Sequence, residues 1–138
     1  MLLRRRRILA IAHIIVVDDE TELRDSVARL LERGGHSTET CSNGRSALKQ
    51  LEKGGFDMLI TDISMPVMDG VELIKKTLAC AFLPHQRIVA LTGLDERHPS
   101  VKWLTANNVD VLYKPLRSAS LNSKLQDLFG AITAAESH

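Results

Sequence analysis

Four apolar runs in the chain each end at a residue suited to handling a phosphoryl group. Ile14 to Val17 stops at Asp18-Asp19, Met58 to Thr61 at Asp62, Ile88 to Leu91 at Thr92, and Val109 to Tyr113 at Lys114-Pro115. Short apolar runs separated by helical patterns predict parallel strands. The carboxyl ends of such strands share one edge of the sheet, where open α/β folds bind ligands. The three aspartates, the threonine and the lysine are therefore expected to converge. Carboxylates held that close repel one another by about 4 kcal/mol per pair at roughly 4 Å in an effective dielectric near 20, so the group invites a hard cation.

With these residues goes a longer stretch, Asp62-Ile63-Ser64-Met65-Pro66-Val67-Met68-Asp69-Gly70, followed by Thr92-Gly93 and Lys114-Pro115. Asp62 lies 30 residues before Thr92, and Thr92 lies 22 before Lys114. An isolated Asp-Asp or Lys-Pro carries little weight, because acids and prolines commonly follow strands. The ordered set, spread over roughly Ile8 to Gly130, resembles the receiver domain of two-component response regulators. That module accepts a phosphoryl group from a histidine kinase.

The resemblance implies a role for each residue. Asp62 would be the nucleophile, forming a mixed acyl phosphate, the covalent route open to a carboxylate. Aspartate is already ionised at neutral pH, so no histidine base is needed. What must be stabilised is the charge on the three equatorial oxygens of a loose transition state. The Lys114 ammonium and the Thr92 hydroxyl would each take one, and Mg²⁺ the third. Mg²⁺ favours octahedral oxygen coordination with retained waters. By resemblance its direct ligands are Asp19, Asp62 and the main-chain carbonyl of Ser64, with Asp18 acting through water. Such a domain is a switch that promotes its own phosphorylation and dephosphorylation, not an enzyme acting on a separate substrate.

The chain has 138 residues, 44% hydrophobic and 25% charged, which suits one domain able to bury roughly 68% of its unfolded surface. The net charge is +1, but Arg4 to Arg7 supply four of the 18 basic residues, leaving 14 against 17 acids in the remainder. Residues 1–7 are read as a solvated basic arm, 8–130 as the domain and 131–138 as a tail. Only Ile8 and Leu9 separate the arginines from the small residues Ala10-Ile11-Ala12, too little apolar length for a signal peptide. Ile8 to Val17 is about half of a membrane span and is read as the first buried strand, so a cytoplasmic location without membrane contact is expected. Cys41 and Cys80 are isolated, and the five histidines have no metal-ligand spacing, so the phosphodonor histidine must lie on a partner.

Strands and helices alternate along the chain. Helices are expected over Thr21–Arg33, over Gly44–Lys53 after an Asn43 cap, from Gly70 to about Ala81, from Pro99 past Trp103, and around Leu121, Leu125, Leu128 and Phe129; Ser37–Cys41 is the second strand. Five strands and five helices imply a flavodoxin-like, doubly wound parallel sheet in the order 2-1-3-4-5. The expected partners are a sensor histidine kinase or phosphotransfer protein upstream and a protein effector downstream, with a homodimer left open. Eight residues after Gly130 leave no room for a DNA-binding domain in this chain, so a stand-alone receiver or a fragment of a longer regulator is expected.

Some positions depart from the receiver pattern. The residue three before the lysine, usually aromatic and coupled to the threonine, is Val111; Tyr113 is expected to face away from it. Asn107-Asn108 replaces a common Gly-Ala, which asparagine tolerates because it adopts left-handed backbone readily. Other functions fit less well. A dinucleotide-binding enzyme needs a glycine-rich turn where Asp18-Asp19-Glu20 stands. A haloacid-dehalogenase-like phosphatase needs a second aspartate where Ser64 stands. A degenerate docking module would have lost an acid, the threonine or the lysine.

Overall fold

In the computed structural model of the chain, residues 11–136 are described, with side chains as far as residue 127. Five strands form one parallel sheet: β1 (His13–Val17), β2 (Ser37–Cys41), β3 (Met58–Asp62), β4 (Ile88–Thr92) and β5 (Asp110–Tyr113). Its order is β2-β1-β3-β4-β5, as the sequence pattern implies. Five helices connect and follow the strands: α1 (Thr21–Arg33), α2 (Gly44–Lys53), α3 (Gly70–Ala79), α4 (Pro99–Ala106) and α5 (Ser118–Glu136).

Burial explains why the central strands read as unbroken apolar runs. Every residue of β3 and β4 is buried, as are Ile14 to Val17 of β1, because helices cover both faces of the sheet. Successive side chains alternate between two separate cores. Ile15, Val17, Leu59 and Ala90 pack with Leu51, Leu73, Ile74 and Leu104 beneath α2, α3 and α4. Ile14, Val16, Ile60, Val89 and Leu91 pack with Val27, Leu31, Leu121 and Leu125 beneath α1 and α5. The edge strand β2, Ser-Thr-Glu-Thr-Cys, is largely polar and mostly only half-buried or exposed.

Local chemistry sets most helix starts. Asn43 accepts a hydrogen bond from the Ser46 N–H at 2.8 Å, and Asp69 accepts one from the Glu72 N–H at 2.9 Å. Pro99 occupies the first turn of α4, where its missing N–H costs nothing; His98 Nδ1 caps that helix by accepting the Ser100 N–H at 3.1 Å. Asn108, φ 60°, adopts the left-handed backbone foreseen for the end of α4.

Two boundaries differ from expectation. The first strand begins at His13 instead of Ile8, and Ile11 is 58% exposed. The reason lies in its neighbours: β2 pairs only from Ser37 opposite His13, and β3 only from Met58 opposite Ile14. The Ala12 N–H, with no strand to meet, donates to His36 Nδ1 at 3.0 Å. Helix α3 stops at Ala79, two residues early, because Ala81 turns left-handed at φ 56°. Residues 8–10 of the expected strand, the basic arm, the side chains of Leu128 and Phe129, and the end of the tail lie outside the described residues.

Gly70 is the tightest point near the strand ends. A Cβ there would overlap the Asp62 carbonyl oxygen and come within 2.8 Å of the Ile63 Cα, while the Gly70 N–H donates to the Ile63 carbonyl at 2.9 Å. Backbone cannot yield as a flexible side chain can. Gly70→Ala should therefore lower stability by about 3 kcal/mol, the upper end of the overpacking range. Gly93→Ala, where nothing lies within 4 Å of the added carbon, should stay within about 0.5 kcal/mol of the parent. Urea denaturation with unchanged m-values checks the pair, and equal losses would contradict the close-approach account.

Candidate functional site

Strand register sets the site. Val17 pairs with Thr61, Asp62 with Leu91, and Thr92 with Tyr113, so the residues that follow or end these strands emerge at one level of the sheet edge. There Asp18, Asp19, Glu20, Asp62, Ser64, Gly93, Leu94 and Lys114 line an open cleft of about 550 Å³. One carboxylate oxygen from each of Asp18, Asp19 and Asp62 lies within 4.8 Å of the others.

Asp18 is 1% exposed and tied down at three points. Its N–H donates to the Cys41 carbonyl at 3.1 Å, its Oδ1 accepts from the Glu20 N–H at 2.9 Å, and its carbonyl accepts from Arg24 Nη1 at 3.1 Å. Its other carboxylate oxygen, Oδ2, is buried without a hydrogen-bond partner. Burial raises the Asp18 carboxyl above the usual aspartate range, and the charges of Asp62 and Asp19 push the same way. The Glu20 N–H and the Lys114 ammonium oppose them without prevailing.

Asp62, 4% exposed, meets the Lys114 ammonium at 2.9 Å through Oδ1; the same ammonium is 3.8 Å from Asp18 Oδ2. For Lys114, burial alone would lower the pKa. The hydrogen bond to Asp62 and the charges of Asp62, Asp18 and Glu20 outweigh it, so the ammonium is held above its ordinary value. Lys114 thus pairs with two of the three clustered acids, Asp18 and Asp62. The orphaned Asp18 oxygen and an all-oxygen donor set suit a hard divalent ion such as Mg²⁺.

Thr92 ends the strand next to Lys114. It is 1% exposed, its Oγ1 accepts the Leu94 N–H at 2.9 Å and its carbonyl accepts the Lys114 N–H at 2.8 Å, while Gly93 and Leu94 line the cleft. A second cleft, of about 380 Å³, shares Ser64 and Leu94 with the first and extends to Asp69 and His98. Val111 packs, partly buried, against the core beneath α2, α3 and α4, whereas Tyr113 is 46% exposed. The expectation that Tyr113 faces away from Val111 is corrected: residues two apart on a strand share a face, and Leu112 between them packs into the opposite core.

Three features were not foreseen from the residues. Gly70 presses on the Asp62 backbone, and its signal was available in Asp69-Gly70, a glycine at the start of a helix where most residues would serve better. Arg24 reaches the acid loop, which no spacing rule marks. Val67, in the loop after Asp62, is β-branched yet left-handed at φ 71° and 74% exposed, a strained placement with no warning in the sequence.

Comparison with known proteins agrees with this geometry. The model of the response regulator receiver domain matches residues 14–126. The chemotaxis protein CheY-3 of Vibrio cholerae is 33% identical over 117 residues, covering 84% of this chain and 90% of that protein. The crystal structure of Vibrio cholerae CheY4 superposes with a TM-score of 0.76 at 32% identity, covering 86% of this chain and 98% of that one. The receiver domain of a Pseudomonas aeruginosa sensor histidine kinase, solved with a magnesium ion coordinated in its active-site cleft, shares the fold at a TM-score of 0.74 and 24% identity, covering 86% and 98%. A parallel sheet whose edge gathers three aspartates and a lysine, matched over most of its length by this family, identifies the chain as a response regulator receiver domain, a phospho-accepting signalling switch.

Proposed function

We propose that Asp62 is the phosphoacceptor of a Mg²⁺-dependent switch. The observation that carries this reading is the 2.9 Å contact of Lys114 Nζ with Asp62 Oδ1 at a point where three carboxylates converge. A carboxylate oxygen of Asp62 attacks phosphorus in line, the bond from phosphorus to the donor histidine nitrogen breaks, and the imidazole leaves on the partner. Lys114, already at the attacking carboxylate, neutralises one equatorial oxygen. Thr92 supplies its hydroxyl to another: its Oγ1 accepts the Leu94 N–H, which leaves the O–H free to donate. Bound through Asp19, Asp62 and the Ser64 carbonyl, with Asp18 acting through water, Mg²⁺ would supply charge neutralisation for the transferring group.

The donor is a sensor histidine kinase or phosphotransfer protein. The output is a protein effector that reads the surface of α4 and β5 after Thr92 moves forward. Lys75 Nζ lies 5.1 Å from the centre of the Trp103 ring, so a shift of α4 relative to α3 would alter the environment of the only tryptophan. A cytoplasmic setting fits this role; among the described residues no helix is long and apolar enough to cross a membrane.

Incubation with acetyl phosphate and Mg²⁺ should add one phosphoryl group per chain. Labelling that persisted undiminished in Asp62→Asn, or with the metal chelated, would sink the assignment. Asp19→Asn should weaken Mg²⁺ binding more than Asp18→Asn.

Output depends on Thr92 and not on Val111, which is too short to swing as an aromatic would. Thr92→Ala should abolish most phosphorylation-dependent effector binding or the accompanying Trp103 fluorescence change, and Val111→Ala should leave it nearly intact. Equal losses would make Val111 part of the switch.

The acyl phosphate should be long-lived. Ser64 and Leu94 both line the cleft, and neither orients water in line with phosphorus: the serine is short and the leucine apolar. Ser64→Asn with Leu94→Glu should speed autodephosphorylation, measured as decay of the phosphorylated form with Mg²⁺ and no phosphatase. Decay of the unaltered domain as fast as the double variant would refute this.

A further inference from the structure

Arg24 occupies the first turns of α1, a helix anchored by buried Val27, Ala28 and Leu31. Its side chain is only 16% exposed and runs back along the acid loop, where Nη1 donates to the Asp18 carbonyl at 3.1 Å. The Arg24 N–H donates to the Glu20 carbonyl at 3.0 Å, so main chain and side chain of one residue tie both ends of the loop to the helix. Its Nε is buried without a hydrogen-bond partner, and its 3.8 Å approach to half-exposed Asp25 is too long to be a hydrogen bond. Surface pairs of that kind contribute little. Among the described residues, the one well-made interaction of the guanidinium is therefore the bond to the Asp18 carbonyl.

That carbonyl belongs to the same planar peptide unit as the Asp19 nitrogen, so holding it sets where the Asp19 backbone, and hence its carboxylate, stands relative to Asp18 and Asp62. We propose that Arg24 is a positioning residue for the cation site, fixing the Asp18-Asp19 peptide so that the acid pair meets Asp62 in binding geometry. The inference rests on the Mg²⁺ reading above and concerns this chain's own residues toward that ion.

Charge and position make opposite predictions, which gives the test its force. Arg24→Met removes a positive charge beside the acid loop; by relief of Coulomb repulsion alone it should tighten Mg²⁺ binding. If Arg24 acts by position, the same change loosens the acid loop and binding weakens, by about tenfold on the scale of groups that orient metal ligands.

Isothermal titration of Mg²⁺ into the full chain at constant ionic strength separates the two. Expected are a weaker affinity in Arg24→Met, partial recovery in Arg24→Lys, which keeps one donor, and no change in Arg33→Met, an exposed arginine at the far end of α1. With saturating Mg²⁺, labelling of Arg24→Met by acetyl phosphate should return to within about twofold of the unaltered chain, as expected when binding and not chemistry is impaired. Unchanged or tighter Mg²⁺ binding in Arg24→Met overturns the proposal. So does an Arg24→Lys no better than Arg24→Met, or a labelling defect that saturating Mg²⁺ leaves in place. Should Arg24→Met fail to fold, Arg24→Lys decides alone: unaltered affinity with impaired urea stability would make the residue structural only. A parent chain that binds no Mg²⁺ would instead overturn the proposed function itself.

Discussion

Mutual repulsion among Asp18, Asp19 and Asp62, relieved in part by Lys114, is the interaction on which the rest of the molecule turns. Three acids at one sheet edge are costly to hold together, and a parallel sheet with helices on both faces is a scaffold stiff enough to do it. Apolar strands β1, β3 and β4 supply that stiffness, and each ends where a charged or hydroxyl side chain begins. Asp18 shows the tension most directly: buried, hydrogen-bonded at one oxygen and orphaned at the other. Each tie around it serves to keep a group in place that its neighbours would expel.

Much of this was legible in the sequence because it depends on local, periodic signals. Short continuous runs such as Ile14 to Val17, bounded by loop residues, suit strands covered on both faces, and the topology follows from their alternation with helices. Asn43 and Asp69 announce helix starts by their chemistry, and Pro99 does so by its lost donor. The convergence of Asp18, Asp62 and Lys114 was legible for a related reason: Asp62 ends its strand while Asp18 and Lys114 follow theirs, so placing the strands places these side chains at one edge.

What escaped depends on distances between residues far apart in the chain. The start of β1 is set by what β2 and β3 offer as partners, and nothing between Ile8 and His13 declares it. Thr92 is at the expected edge, but its turn toward the Leu94 N–H is a rotamer-level fact that no spacing encodes. The overlap that excludes a side chain at Gly70 and the reach of Arg24 to the Asp18 carbonyl likewise exist only once the backbone is folded.

The sheet also divides the interior into two cores that, among the described residues, share no buried side chain. Helix α4, eight residues long, buries Val101 and Leu104 and packs half-buried Trp103 against the core, fewer fully buried residues than α2 or α3. Sliding such a helix disturbs few contacts, and the layer beneath α1 and α5 has no packing to lose. The domain is in this sense mechanically insulated: one surface can be rewritten while the opposite one keeps its shape. On the proposed reading, a change at the sheet edge has a route through one layer that leaves the side-chain packing of the other in place.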